Sequence, residues 1–129
     1  MRILFKTAIL ATVIALAACN AAPIRNVSNA PITAASGKAL TDDQVKGAII
    51  RAGAALGWQM KEMGAGKIGA TLNLRKHEAV IEIPYSRTGY SITYKSSTGL
   101  DESAGNIHKN YNGWIENLTR GINAQLSAS

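Results

Sequence analysis

Apolar residues recur at two different spacings along the chain, and the change of spacing separates helices from strands. Between Thr41 and Gly57 the apolar positions lie three or four residues apart, which is typical of one helix face. Thr41 and Gln44 can form a capping box at its start, and Gly57 is placed to end it. A second run with helical spacing extends from Ile107 to Leu126. The pattern therefore predicts two amphipathic helices.

Between these helices apolar and polar residues alternate, which is typical of strands with one buried face. Three alternating stretches lie within residues 68–95, and turns are predicted at 76–78 and 87–89. Residues 58–62 are a candidate fourth strand. The predicted fold class is α+β, a small α-β-β-β-β-α domain in which an antiparallel meander sheet has both helices packed on its apolar face.

The start of the chain has the features of an export signal. Arg2 and Lys6 flank the beginning of an apolar run over residues 8–16, which is too short to span a bilayer but typical of a secretory signal peptide. Residues 16–19, Leu-Ala-Ala-Cys, resemble the bacterial lipobox at all four positions. The resemblance implies cleavage before Cys19, a diacylglycerol on its thiol and acylation of the new amino group.

Lipidation would leave the chain without a free thiol. Cys19 is the only cysteine, so neither a disulfide nor a cysteine-ligated metal is expected to stabilise the fold. Two or three acyl chains anchor a protein firmly, whereas one chain binds a bilayer only marginally. Asn20 follows Cys19. By resemblance to Gram-negative sorting, in which Asp at this position favours the inner membrane, the prediction is an outer-membrane lipoprotein on the periplasmic face, with the inner membrane as the alternative.

The next segment lacks any apolar period. Residues 19–38 are mostly small or polar and include Pro23 and Pro31. We predict a flexible tether with an average span of roughly 25 Å and a maximum of about 65 Å. The chain then divides into a cleaved signal peptide over 1–18, a lipidated tether over 19–38 and a single α+β domain over 39–129.

The charge of the chain is modest and scattered. Its formal net charge is +6, and loss of Arg2 and Lys6 with the signal peptide would lower it by two. No basic run longer than Arg75-Lys76 occurs. We therefore expect no nucleic-acid partner.

Two patterns suggest chemistry but have simpler explanations. Residues 64–69 match G-x-G-x-x-G, yet an alternating strand follows where a dinucleotide site needs a helix, so a plain turn is predicted. The only histidines, His77 and His108, have no partner at metal-ligand spacing. Asp101 or Glu102 could approach His108. The sequence predicts no catalytic residue, no metal site and no cofactor.

Two surfaces are candidates for binding a partner. The polar face of the sheet is predicted to carry Asn73, Arg75, Glu82 and Lys95, together with Thr71, Ser91 and Thr93. Usually such a face is simply solvated. The start of the last helix is predicted to present Asn110, Tyr111, Asn112 and Trp114. The alternative for this second set is structural, with Tyr111 and Trp114 packed on the sheet and Asn112 bonded to the loop before the helix.

A family resemblance rests on residues 90–100 and 107–118. The first stretch reads Tyr-Ser-Ile-x-Tyr-x-Ser-Ser-x-x-Leu and the second reads Ile-His-x-x-Tyr-Asn-x-Trp-Ile-x-Asn-Leu. Both are similar to a family of small uncharacterised proteobacterial lipoproteins, and the likeness covers roughly residues 57–122 and the lipobox. It implies the same α+β domain and a periplasmic location, and it implies no activity.

Three functional hypotheses follow. The first is a non-enzymatic, membrane-anchored lipoprotein whose domain binds an envelope protein or another envelope component through the polar sheet face or an exposed strand edge. The alternative is a small-ligand binder or hydrolase acting on cell-envelope material, with His108 and Asp101 or Glu102 in a concave site. A purely structural role is the third.

Overall fold

The computed structural model describes residues 20–129, so the predicted signal peptide and Cys19 lie outside the described residues. The described part has an α+β fold, which confirms the predicted fold class. In chain order its elements are β1 (Ala21–Pro23), β2 (Val27–Pro31), α1 (Asp42–Ala55), β3 (Gln59–Glu62), β4 (Lys67–Leu74), β5 (His77–Pro84), β6 (Gly89–Thr98), β7 (Asn106–His108) and α2 (Lys109–Ser127).

Strands β3 to β6 form the predicted antiparallel meander. The candidate strand near residues 58–62 is confirmed as β3, which pairs with β4. The first hairpin turn consists of Arg75 and Lys76, because Leu74 pairs with His77, and it begins one residue earlier than predicted. Arg75 has a φ of +57°, as two-residue hairpin turns require. The sheet gains β2 at its β6 edge, and β1 pairs with β7 in a separate two-stranded sheet.

Both helices contribute to one hydrophobic core with the sheet. The capping box predicted at Thr41 and Gln44 is present, with the Gln44 N–H donating to Thr41 Oγ1 at 3.1 Å. Neither helix of residues 20–129 has the length and hydrophobicity needed to cross a membrane. The fully buried side chains come from α1, β4, β5, β6, β7 and α2, and include Val45, Ile49, Ile68, Ile81, Ile92, Ile107, Ile115, Leu118 and Ile122.

The prediction of a flexible tether over residues 19–38 is wrong for residues 21–32. β1 pairs with β7, and β2 pairs with β6. In addition, the Ile24 N–H donates to the Gly105 carbonyl at 2.9 Å and the Ile32 N–H donates to the Thr88 carbonyl at 3.0 Å. The side chains of Ile24 and Ile32 are half-buried against the core. Because backbone and side chains are both engaged, the folded unit begins at β1 and not at residue 39.

Candidate functional site

The sheet face that points away from the helices carries a shallow depression of about 220 Å³. It lies over the middle of β3, β4, β5 and β6, where side chains alternate between the core and this face. We call it the outer groove. It is lined by Gln59, Lys61, Met63, Gly69, Ala70, Thr71, Val80, Ile81, Glu82 and Lys95.

The floor of the outer groove is apolar because of one glycine. Gly69 lies opposite Glu82 in β5, and Thr71 lies opposite Val80. Met63, in the turn between β3 and β4, folds over Gly69, where an added Cβ would lie 2.6 Å from the Met63 sulfur. Met63 is nevertheless 48 % exposed. Gly69 therefore makes room for an exposed thioether beside the half-buried Val80.

The rim of the groove is mainly positive. The Glu82 carboxylate lies 3.7 Å from Lys67 Nζ and 3.9 Å from Lys95 Nζ, and it is less exposed than either lysine. Lys61 is exposed and forms no salt bridge with another described residue. Exposed ion pairs contribute only about 0–1 kcal/mol. The lysines can therefore be redirected to a carboxylate that enters the groove.

A β-bulge aims Lys95 at the groove. Ile81 pairs with Tyr94 and Val80 pairs with Ser96, so Lys95 is an extra residue in β6. An extra residue twists a strand and changes the direction of its side chain. The sequence predicted that Lys95 and Glu82 share this face, and the structure brings them together.

Arg75 and Asn73 do not join this pair. Arg75 lies in the turn between β4 and β5, and Asn73 is paired with Glu78 next to that turn. Glu82 lies five positions after His77 in β5, which corresponds to about 17 Å at 3.3 Å per residue. The candidate residues of the polar face therefore belong to two separate surfaces, one in the groove and one at the hairpin end.

The asparagines at the start of α2 also have different roles. Asn112 Nδ2 donates to the Pro23 carbonyl at 2.9 Å, and Asn112 Oδ1 accepts from the Arg25 N–H at 2.9 Å. The prediction that Asn112 bonds the loop before α2 is therefore wrong, because its partners belong to the N-terminal segment. Asn110 is exposed, and its backbone N–H donates to His108 Nδ1 at 3.2 Å. As the structural alternative predicted, Tyr111 is buried and Trp114 is half-buried.

The two histidines have structural partners. His77 Nδ1 lies 2.8 Å from the Gly99 carbonyl, and His108 caps α2. Within residues 20–129 no hydrogen bond or salt bridge joins His108 to Asp101 or Glu102. In the same part of the chain, no group of three or more His, Cys, Asp or Glu side chains is arranged to hold a metal ion.

The glycine-rich residues 64–69 form a turn and the start of β4, as predicted. This turn borders a broader depression of about 490 Å³ at the start of α1, which the sequence analysis missed. There Lys46 Nζ lies 3.2 Å from Glu62 and 3.6 Å from Asp43. The hydrogen bond and charge of Glu62 raise the pKa of Lys46. Lys46 offsets only one of the three acids that line this depression, Asp42, Asp43 and Glu62, so its lining is net negative. The outer groove is the stronger candidate because Met63 and Val80 give it an apolar floor.

Comparisons with known proteins assign neither a family nor a function to the chain. The chain matches no protein-family model, and searches of curated proteins and of solved structures find no significant match. The resemblance to small proteobacterial lipoproteins remains a prediction from the sequence. Any function must therefore be argued from the lipobox and from the geometry of the surface.

Proposed function

We propose that the protein is a lipid-anchored lipoprotein of the bacterial envelope whose domain is a non-enzymatic docking module. Cys19 in the Leu-Ala-Ala-Cys sequence supplies the anchor, and Asn20 directs the protein to the outer membrane, facing the periplasm. The partner is an envelope protein that binds through the outer groove.

A single observation carries the choice of surface. The outer groove combines an apolar floor, formed by Met63 and Val80, with a positive rim. Such a surface fits one apolar side chain of a partner, flanked by carboxylates that pair with Lys61 and Lys95. Apolar anchors in small pockets with a polar surround contribute most of the binding energy in many protein interfaces. The groove thus defines both the chemistry and the small size of the contact.

Photocrosslinking in cells tests this proposal. A photoreactive amino acid at Gln59, an exposed residue of the edge strand β3 that borders the groove, should capture one abundant envelope protein. The Lys61→Glu and Lys95→Glu double substitution should abolish capture, because it reverses the charge of the rim. The Lys38→Glu and Arg87→Glu double substitution is the matched control, because it makes the same change of four charge units at two exposed residues that do not line the groove.

The outcomes separate this surface from others. Loss of capture in the Lys61→Glu and Lys95→Glu variant, with capture retained in the Lys38→Glu and Arg87→Glu variant, supports the outer groove. Capture that survives the first double substitution, or equal loss of capture in both variants, contradicts it. Circular dichroism of each variant establishes that the fold is intact before capture is compared.

A further inference from the structure

The connection between the predicted lipid and the folded domain is only one residue long. β1 begins at Ala21, and Asn20 alone separates it from Cys19. We infer that the lipidated domain is held directly against the bilayer in one orientation, with the end that contains the start of α2 facing the lipid headgroups. This inference rests on the proposed lipidation of Cys19, and it specifies how the anchored domain is presented.

The first residues of the domain are held in place by strand pairing, by hydrogen bonds to a side chain of α2 and by an ion pair. Ala21 pairs with His108 and Ala22 with Ile107. Asn112 then binds the backbone of Pro23 and Arg25, and the Arg25 guanidinium lies 3.1 Å from Glu116. These contacts prevent the start of the chain from extending as a spacer. The domain therefore cannot move away from its anchor without breaking several hydrogen bonds.

Three neighbouring elements form the surface around this attachment point. The His108 N–H donates to the Leu100 carbonyl at 2.8 Å, which joins β7 to the loop after β6. His77 Nδ1 lies 2.8 Å from the Gly99 carbonyl, which joins that loop to the hairpin turn at Arg75 and Lys76. We call this surface the anchor end. It comprises residues 20–21, 74–77, 99–105 and 108–110.

The chemistry of the anchor end fits a lipid headgroup layer. Arg75, Lys76 and Lys109 are exposed, and none of them forms a salt bridge within residues 20–129. Leu74 beside them is 46 % exposed. Cations near a bilayer surface are attracted to headgroup phosphates and anionic lipids.

Two acids moderate the charge of the anchor end. Asp101 and Glu102 lie in its 99–105 loop and partly offset the three cations. The acyl chains therefore supply the affinity for the bilayer, and the cations with Leu74 favour the orientation.

The opposite end of the domain would then project into the periplasm. α2 contains 19 residues, which corresponds to a length of about 28 Å. α1 runs antiparallel to it, since Arg51 Nε donates to Gln125 at 3.1 Å and Leu56 packs near Gly121. The start of α1 and the β3–β4 turn at Ala65 are therefore distal from the anchor end. This arrangement leaves the outer groove accessible to a partner.

Depth-dependent fluorescence quenching tests the orientation. Because lipidation consumes Cys19, an introduced cysteine is the sole reactive thiol of the mature protein. Asn110→Cys places a fluorophore at the anchor end and Ala65→Cys places one at the distal end, and both positions are exposed. The lipidated full chain is reconstituted in phosphatidylcholine vesicles that contain lipids with a headgroup-level quencher. We expect several-fold greater quenching at position 110 than at position 65.

A linker variant tests whether the short connection causes the difference in quenching between positions 110 and 65. A long Gly/Ser segment inserted between Asn20 and Ala21 should remove most of the difference between the two labels, since such linkers are flexible coils. Equal quenching at the two positions without the linker would overturn the inference, as would greater quenching at position 65. Mass spectrometry of the same samples shows whether Cys19 is acylated. An unmodified Cys19 would overturn the lipid anchor itself, whereas equal quenching of an acylated protein would overturn only the orientation.

Discussion

The side-chain amide of Asn112 donates to the backbone carbonyl of Pro23, 89 residues away in the sequence, at 2.9 Å. Its oxygen accepts from the N–H of Arg25, so one side chain satisfies two backbone groups of an otherwise irregular stretch. Between them these bonds attach the segment that follows the predicted lipid to the first turns of α2. The relationship explains why this segment is part of the domain despite its tether-like composition.

Asn112→Ala should destabilise the domain by about 1–3 kcal/mol. The substitution removes two hydrogen bonds, one to the Pro23 carbonyl and one from the Arg25 N–H, and each such bond contributes about 0.5–1.5 kcal/mol net even where water can replace the lost partner. Urea denaturation of the mature domain carrying Cys19→Ser measures the change in the free energy of unfolding.

Asn110→Ala is the matched control, because its exposed side chain makes no hydrogen bond within residues 20–129. Its effect should be within about 0.5 kcal/mol. Equal effects of the two substitutions would show that Asn112 has no special role.

Removal of residues 20–32 should lower the free energy of unfolding by at least about 3 kcal/mol. Ile24, Val27 and Ile32 each lose contacts with the core, and each buried methylene group contributes about 0.8 kcal/mol. The deletion also exposes the edge of β6, which favours aggregation. Proteins that begin at Asn20 and at Thr33 should be compared by thermal and urea denaturation. Equal stability of the two would support a flexible tether.

Tyr111→Phe should leave stability unchanged or raise it by up to about 1 kcal/mol at neutral pH. The Tyr111 hydroxyl is buried and has no hydrogen-bond partner among residues 20–129, so its removal relieves an unsatisfied group. The packing of its ring edge-on against Tyr94, at 5.5 Å between centroids, is retained. Urea denaturation at pH 7 measures the difference. In contrast, Tyr90→Phe should destabilise the domain, because the Tyr90 hydroxyl donates to Asn123 Oδ1 at 2.7 Å.

Tyr111→Phe should also reduce the loss of stability in alkaline solution. Burial raises the pKa of Tyr111 above its ordinary value of 10.0. The unfolded chain therefore releases this proton at lower pH than the folded protein. The contribution of Tyr111 is fully present below pH 10 and is lost as pH rises toward the folded pKa. Between pH 8 and about pH 11 the free energy of unfolding should fall less steeply with pH for Tyr111→Phe than for the unsubstituted protein. Identical slopes would contradict burial of the hydroxyl.

Two glycines of α1 should respond differently to substitution by alanine. Gly47→Ala should stabilise the domain by about 0.5–1 kcal/mol, because an added Cβ meets only the flexible end of the exposed Arg51 side chain. Gly53→Ala should be less stable than Gly47→Ala by about 1 kcal/mol or more, because the Met60 side chain occupies the space that a Cβ needs. Thermal denaturation measures both variants. Equal stabilisation by both would show that Met60 repacks without cost.

Regular periodicity made most of the fold predictable from the sequence. The meander and both helices follow from apolar spacing and from the Thr41 capping box. The N-terminal strands were not predicted, because their apolar residues do not alternate. β2 shifts register between Val27 and Ala30, and Asn29 has a φ of +49°. A strand with such an irregularity loses the period of two on which sequence prediction depends.

The candidate site was only partly predictable for a similar reason. Glu82 and Lys95 were identified because strand alternation places both on the outward face. Met63 lies in a turn, where no period defines the direction of its side chain, and its position depends on the missing side chain of Gly69. The separation of Arg75 from this pair depends on the turn position, and the pairing of Asn112 with Pro23 depends on tertiary contacts that local spacing does not encode.

We propose that a lipid on Cys19 holds the domain at the membrane. Mass spectrometry of the mature N-terminal peptide, from protein produced in a Gram-negative bacterium, tests this proposal. We expect a peptide that begins at Cys19 and carries a diacylglycerol on sulfur and an acyl group on nitrogen. The modification should be absent in a Cys19→Ala control, which should also retain residues before position 19. A wild-type peptide with a free Cys19 thiol, or one that still contains residues 1–18, would contradict lipid anchoring through Cys19.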